Sequence, residues 1–192
     1  IGGYQLLWEG EMRLTLDAYR DMLGALVLAI LLIFLILVAY YQSFKLPLVA
    51  MAAMPLALIG LFPGHWIMGA QFSVSSMVGV IALAGIVVRN SLLIIDFVQD
   101  FQRQGMALKQ AIMEAGMVRL RPIFLTALAI VFGSLVMLHD PVFGGLAISL
   151  IFGTIASTLF TMIIVPLLLF MVLERQQRAV VNSPLQPQES AS

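Results

Sequence analysis

From Met22 to Tyr41 the chain runs without a polar interruption, and after Met22 it reads LGALVLAILLIFLILVAYY. A bilayer hydrocarbon core about 30 Å thick needs roughly 20 apolar residues in a helix, the form in which a single segment satisfies its own backbone there. The closing pair Tyr40 and Tyr41 matches the aromatic belt of a lipid–water interface. Four further runs meet the same test, at about 46–66, 73–98, 122–138 and 145–173. The fold class expected is therefore all-α, a polytopic membrane helix bundle of five transmembrane helices plus one cytoplasmic amphipathic helix.

The boundaries follow from the same pattern. The second run carries Pro47 near its start and Pro55 inside, which predicts a kink near Pro55 where a backbone N–H is missing. Residues 99–121 are polar but place Met106, Met113 and Met117, and Ala107, Ala111 and Ala115, at four-residue spacing. That spacing reads as an amphipathic helix lying along the membrane surface. Pro122 suits the first turn of the fourth span. Residues 1–21 precede the transmembrane domain of 22–175, and 176–192, ending VVNSPLQPQESAS, reads as a disordered tail.

Of the 192 residues, 61% are hydrophobic and 10% charged, against roughly a quarter charged in soluble domains. Ten Lys+Arg balance ten Asp+Glu, so no net field draws nucleic acid or acidic substrates. Without cysteine there are no disulfides, thiolate metal sites or cysteine nucleophiles. The position of the charges carries more than their sum. Lys45, Arg103, Lys109, Arg119, Arg121, Arg175 and Arg178 fall on one side of the predicted spans, and the opposite loops at 64–72 and 139–144 hold none. The basic side is expected to be cytoplasmic, with the C-terminus inside and residues 1–21 outside; Arg13 and Arg20 run against that rule.

A charge at a bilayer centre costs about 2.5–3.5 kcal/mol on insertion scales, so an ionisable residue deep in a span is a functional candidate. Arg89, followed by Asn90, is the one strongly polar pair deep inside any of the five runs. It lies about 10 Å from Asp96 along the helix. The alternative to a functional charge is a side chain that snorkels to the interface. Thr126, in the fourth span, reaches a similar depth and either hydrogen-bonds the Arg89 head group or bonds back to its own helix. Arg119 and Arg121, just before Pro122, read as head-group anchors or topology signals. Asp96 and Asp100 either pair with Arg103, offer protons an exit, or form a solvated face.

Small residues recur every fourth position in the fifth span, at Gly145, Ser149, Gly153, Ser157 and Thr161, and mark a helix-packing face. Ser75, Gly79, Ala82 and Gly85 form a shorter small face on the third span, expected to admit a neighbour from outside this chain. His65 and His139 lie at the external span ends and read as interfacial residues. No metal-ligand cluster is expected, and the twelve methionines read as apolar filling.

The segments GIVVRNSLLIIDF (85–97) and RLRPIFLTALAIVFG (119–133) resemble the C-terminal membrane half of resistance-nodulation-division (RND) efflux pumps, spans eight to twelve. WEGEM (8–12) is similar to the end of those pumps' periplasmic porter domain. The resemblance implies a multi-pass protein of the bacterial inner membrane, a proton antiporter and not an enzyme, driven by the proton-motive force without a cofactor. It implies that Arg89, with Asn90 and Thr126, supplies the basic side of a proton relay, whose paired aspartates lie in the N-terminal half of the pump. Further implied partners are two copies of itself in a homotrimer, a periplasmic adaptor, an outer-membrane channel and membrane lipid, with no nucleic acid. The family's drug exporters carry Lys at the position of Arg89; a guanidinium holds its proton more tightly and forks its contacts. With no aspartate pair in these spans, the chain reads as a fragment or a separately encoded half of a multidrug or amphiphile exporter. The rival reading is a non-transporting scaffold subunit, or an inactive fragment, in which Arg89 pairs with a partner helix.

Overall fold

The computed structural model describes residues 9–181, and every regular element among them is a helix. In chain order they are α1 (Glu9–Tyr41), α2 (Lys45–Met51), α3 (Ala53–Ile67), α4 (Val74–Arg103), α5 (Leu108–Leu135) and α6 (Gly144–Val181). With α2 and α3 taken together, five helical segments are long and apolar enough to cross a membrane. Lys45, Arg103 and Lys109 sit at helix ends on one side of the bundle, its basic end.

The turns follow from local chemistry. α3 and α4 each end in a glycine at positive φ, Gly69 (+62°) and Gly105 (+89°). The amides that follow reach back across the last turn, Ala70 to the His65 carbonyl at 3.0 Å and Met106 to the Phe101 carbonyl at 3.1 Å. This is the Schellman closure that satisfies otherwise orphaned carbonyls, and glycine alone enters it without Cβ strain. Ser73 opens α4 with a capping box, its side chain and that of Ser76 each accepting the other's backbone N–H.

The kink expected near Pro55 is present: the helix breaks at Ala52, between α2 and α3. Pro55 has no N–H to offer the Met51 carbonyl, so the break falls one turn before the ring.

Three boundaries differ from the sequence reading. Residues 99–103 complete α4, and 108–121 run without a break into the fourth span as α5, so no separate surface helix occupies 99–121. The four-residue spacing is real, but its alanine face is packed into the bundle: Ala111 and Ala115 are fully buried, whereas Met113 and Met117 are over 60% exposed. Pro122 consequently lies inside α5 and not in its first turn. At the chain ends, α1 already begins at Glu9 and α6 continues to Val181, past the expected tail boundary at 176. Residues 1–8 and 182–192, with the porter-domain end and the tail expected there, lie outside the described residues.

α6 is the central helix, packed against α3, α4 and α5. Small residues allow the approach. Gly60 and Gly64 of α3 lie against Ala156 and Phe152 of α6, and Gly79 of α4 lies against Ser149. Close backbone contact of this kind is what holds helices together in lipid, where the hydrophobic effect between them is absent. The apolar part of α1 is by contrast exposed or only half-buried, save for Leu37.

Candidate functional site

Arg89 occupies the middle of α4, about 22 Å from its first residue at 1.5 Å per residue. Its side chain is on the exposed surface of the bundle, while the adjacent Asn90 is turned inward and only 3% exposed. Val78, Ala82 and Gly85 share the exposed face with Arg89. A Cβ built on Gly85 would meet nothing within 4 Å. The small-residue face expected on this helix is thus divided. Gly79 packs on Ser149 and Ser75 lies against Gly145 of α6, whereas Ala82 and Gly85 leave an open lane beside Arg89. Helical rotation separates Gly79, turned about 90° from the mean direction of Val78, Ala82, Gly85 and Arg89; Ser75 points nearly as Ala82 does and meets Gly145 because it lies two turns nearer the start of α4.

The two ion pairs among the described residues are Asp100–Arg103 at 3.8 Å and Glu174–Arg178 at 2.6 Å, both on exposed side chains. Neither involves Arg89. Thr126 lies within about 6 Å of Arg89 in depth along the antiparallel helices, but its hydroxyl donates to the Pro122 carbonyl of its own helix at 2.9 Å. The local bond is the cheaper one to form, because it orders no second helix.

Arg119 departs from the expected entrance role. It lies eleven residues inside α5, and its guanidinium carbon stands 3.8 Å from the centroid of the Phe97 ring on α4. Its Nε is buried without a hydrogen-bond partner. A guanidinium over an aromatic face is held by the ring quadrupole, worth about 0.5–2 kcal/mol depending on desolvation. The sequence signal that joined α5 across Pro122 was the buried alanine face, and reading it so would have moved Arg119 away from a helix start. Arg121 remains exposed.

At the basic end, Asp96 is bound from α1. Tyr41 donates its hydroxyl to Asp96 Oδ1 at 2.9 Å, and Tyr40 approaches Oδ2 at 3.5 Å. Asp100 takes the Arg103 contact and stays solvated. Sequence reasoning saw the tyrosines as an interfacial belt and missed their partner, which lies 55 residues away.

His65 is not an interfacial side chain: it is 4% exposed. Its Nδ1 lies 3.0 Å from the Leu61 carbonyl and its Nε2 2.8 Å from Ser76 Oγ. A carbonyl can only accept, so Nδ1 carries the proton toward Leu61. The neighbouring Ser76 carbonyl accepts from Ser149 Oγ at 3.0 Å, which links α3, α4 and α6 through one buried polar cluster. His139 is exposed.

Gly145, Ser149, Gly153 and Ser157 lie along the interior of α6. Gly145 faces the Ser73, Ser75 and Ser76 hydroxyls, Gly153 faces Leu83, and Ser149 and Ser157 are buried. Thr154, Thr158 and Thr161 of the same helix have buried hydroxyls without a partner, a feature that residue spacing did not reveal. No group of three His, Asp or Glu side chains gathers as a metal site among the described residues.

Residues 1–178 match the model of the AcrB/AcrD/AcrF family. The chain belongs to this family, within the RND pumps. The family's relatives include the swarming motility protein SwrC of Bacillus subtilis, 34% identical over 158 residues, which cover 79% of this chain and 15% of SwrC. The cobalt-zinc-cadmium resistance protein CzcA of Cupriavidus metallidurans is 31% identical over 86% of this chain and 16% of its own length. The multidrug resistance protein MdtC of Yersinia pseudotuberculosis is 28% identical over 93% of this chain and 18% of its own. The chain thus spans less than a fifth of the length of these family members.

Proposed function

We propose that this chain is the C-terminal membrane part of a proton-driven exporter of hydrophobic or amphiphilic compounds, and that Arg89 supplies the fixed positive charge of its proton relay. The observation that carries the reading is the position of Arg89. A guanidinium at the middle of a membrane-crossing helix, on an open lane with no carboxylate paired to it among the described residues, is where an acidic partner from outside these helices would offset the cost of the charge. Small residues beside it, Ala82 and Gly85, leave room for that partner's backbone.

Arginine keeps its proton under all ordinary conditions. In this reading the titration therefore belongs to aspartates on the partner spans: protonating them removes the attraction to Arg89, and deprotonating them restores it. Asn90, buried beside it, fixes the rotation of α4, and Thr126 is released from the Pro122 carbonyl when it serves the relay. The pump works as a trimer in the bacterial inner membrane with its basic end and C-terminus cytoplasmic, joined by a periplasmic adaptor and an outer-membrane channel. The proton-motive force is its energy source.

The test is export from everted membrane vesicles containing the complete assembly. Arg89→Ala should abolish substrate-dependent proton flux while the protein accumulates and inserts normally. Near-normal export at equal protein level would overturn the assignment. Arg89→Lys should keep partial activity, because charge is retained and forked geometry is lost.

A further inference from the structure

His65 is the one buried ionisable side chain among the described residues, and the Arg89 relay has no use for it. Ser76, its hydrogen-bond partner, stands on α4 about 20 Å before Arg89 at 1.5 Å per residue. From Ser76 a line of hydroxyls continues to the start of α4. Ser76 Oγ lies 3.2 Å from Ser73 Oγ, which lies 2.8 Å from Ser75 Oγ. Ser73 and Ser75 are only partly buried and stand at the end of the bundle opposite the basic end.

The line can be wired in two directions, and both satisfy every group in it. His65 Nδ1–H donates to the Leu61 carbonyl, so a neutral imidazole accepts at Nε2. In that state Ser75 donates to Ser73, Ser73 to Ser76 and Ser76 to Nε2. An imidazolium reverses all three bonds: Nε2–H donates to Ser76, Ser76 to Ser73 and Ser73 to Ser75. Each hydroxyl oxygen has two lone pairs. On Ser73 and Ser76 one of them is taken in either state by a backbone N–H of the capping box, at 3.3 and 3.2 Å. The other is free to accept from the neighbouring hydroxyl or from Nε2. The same two amides hold the oxygens in place while protons move. Gly145 leaves the line its space, since a Cβ there would collide with all three hydroxyls.

We propose that His65 is a proton-binding site, loaded from the start of α4 through Ser75, Ser73 and Ser76. A hydronium ion of the aqueous phase gives its proton to Ser75 Oγ and leaves as water. Ser75 passes its own proton to Ser73, Ser73 to Ser76 and Ser76 to His65 Nε2. One positive charge moves onto the imidazole, every hydroxyl ends neutral, and the line is left reversed. No charged side chain competes for this role. The first ionisable groups on α4 and α6 are Arg89 and Glu174, and Lys45 of α2 lies at the opposite end. α1 brings Tyr19, whose hydroxyl donates to the Phe72 carbonyl, with the exposed Asp17, Arg20 and Asp21 beside it. His139 and Asp140, before α6, are exposed as well.

The test is rapid-mixing infrared spectroscopy of the complete assembly in sealed vesicles. The pH is stepped from about 8 to about 5, the range in which histidine ordinarily changes charge, on one side of the membrane at a time. Subtracting the spectra of His65→Gln isolates the ring of His65. Its imidazolium band should appear when the step is made on the side of Ser75. The other side is identified by modification of Lys45 and Lys109, both at the basic end, with an impermeant amine reagent. Ser73→Ala interrupts the line and should slow the band's appearance about tenfold or more, a barrier raised by about 1.4 kcal/mol. Ser73→Thr, which retains a hydroxyl, should restore the rate. Arg89→Ala should leave the band unchanged, which separates this site from the relay. Absence of an imidazolium band, a response to the step at the basic end alone, or an unslowed response in a Ser73→Ala protein that accumulates normally would overturn the proposal. The first two outcomes need no variant of the line and decide the matter even if Ser73→Ala, which also loses the helix cap, does not accumulate.

Discussion

The contact between Gly79 of α4 and Ser149 of α6 allows a quantitative test of how the bundle is held. A Cβ built on Gly79 would stand 2.5 Å from Ser149 Cβ and 3.1 Å from its Oγ, whereas carbon atoms pack best at about 3.5–4.0 Å. Gly79→Ala therefore forces the helices apart by about 1 Å, an overpacking that costs about 1–3 kcal/mol. Alanine's helix preference over glycine offsets about 1 kcal/mol of this. Ser149→Gly loses the hydrogen bond to the Ser76 carbonyl, about 0.6 kcal/mol between membrane helices, plus the entropic penalty of glycine. In the double variant the clash is gone and the two propensity changes nearly cancel. It should be close to the parent in stability, with a coupling of about 1–3 kcal/mol between the sites. The assay is thermal aggregation of the membrane-embedded protein, or denaturant titration in detergent, for all four proteins. A double variant no more stable than the two single losses added together would refute the claim that these two Cβ positions set the α4–α6 distance.

Loss of the Arg89 charge should stop export without affecting insertion, as described above. Tyr41→Phe should cost about 1 kcal/mol, the value of a partly exposed hydrogen bond, and should detach the end of α1 from Asp96; combining it with Asp96→Asn should add little, as thermal denaturation of the three variants would show. Phe97→Leu removes the ring beneath Arg119 and should weaken the α4–α5 contact by about 0.5–2 kcal/mol, with Phe97→Trp retaining it in the same denaturation assay. Asp140 accepts from the backbone N–H groups of Phe143 and Val142, which hold its carboxyl below its ordinary value of 3.8. Because the folded value is depressed, the turn leading into α6 is stabilised above pH 3.8 and loses that support as pH falls through the lowered value. Protection of the Val142 and Phe143 amides, taken relative to their intrinsic exchange rates at each pH, should therefore fall in acid, and in Asp140→Ala it should already be lost at neutral pH.

The five membrane-crossing helices were legible because a bilayer imposes a length and a composition that no particular neighbour alters. The break near Pro55 was equally readable, since a missing N–H is a local fact. Residues 99–121 were misread because alternating faces at helical spacing describe a helix on a membrane surface and a helix packed into a bundle equally well. Only the position of α4 and α6 shows that Ala111 and Ala115 are covered. His65 illustrates the same limit: its sequence position places it at a helix end, but its burial depends on Ser76 of the next helix. The depth of Arg89 came from the sequence alone. That it stands on an open face, while Gly79 about three turns earlier does not, required the rotation of α4 against α6.

The stripe of small residues on α6 has a consequence for alignment along the membrane normal. Gly145, Ser149, Gly153 and Ser157 recur at equal steps, so sliding α6 by one turn past α4 would present a similar profile, small residue for small residue. The match is only superficial, because the slip would set Ser149 and Ser157 where Gly145 and Gly153 now sit without room for a Cβ, against the α4 serine hydroxyls and Leu83. Two further contacts hold the register: the Ser149 hydroxyl on the Ser76 carbonyl, and the Phe152 side chain set against Gly64 on the opposite flank. A one-turn slip would bring Ala156 to the place of Phe152, leaving the hollow at Gly64 unfilled, and would draw Ser149 off its acceptor. The vertical position of the central helix is therefore indexed by its two glycines, one aromatic ring and one hydrogen bond.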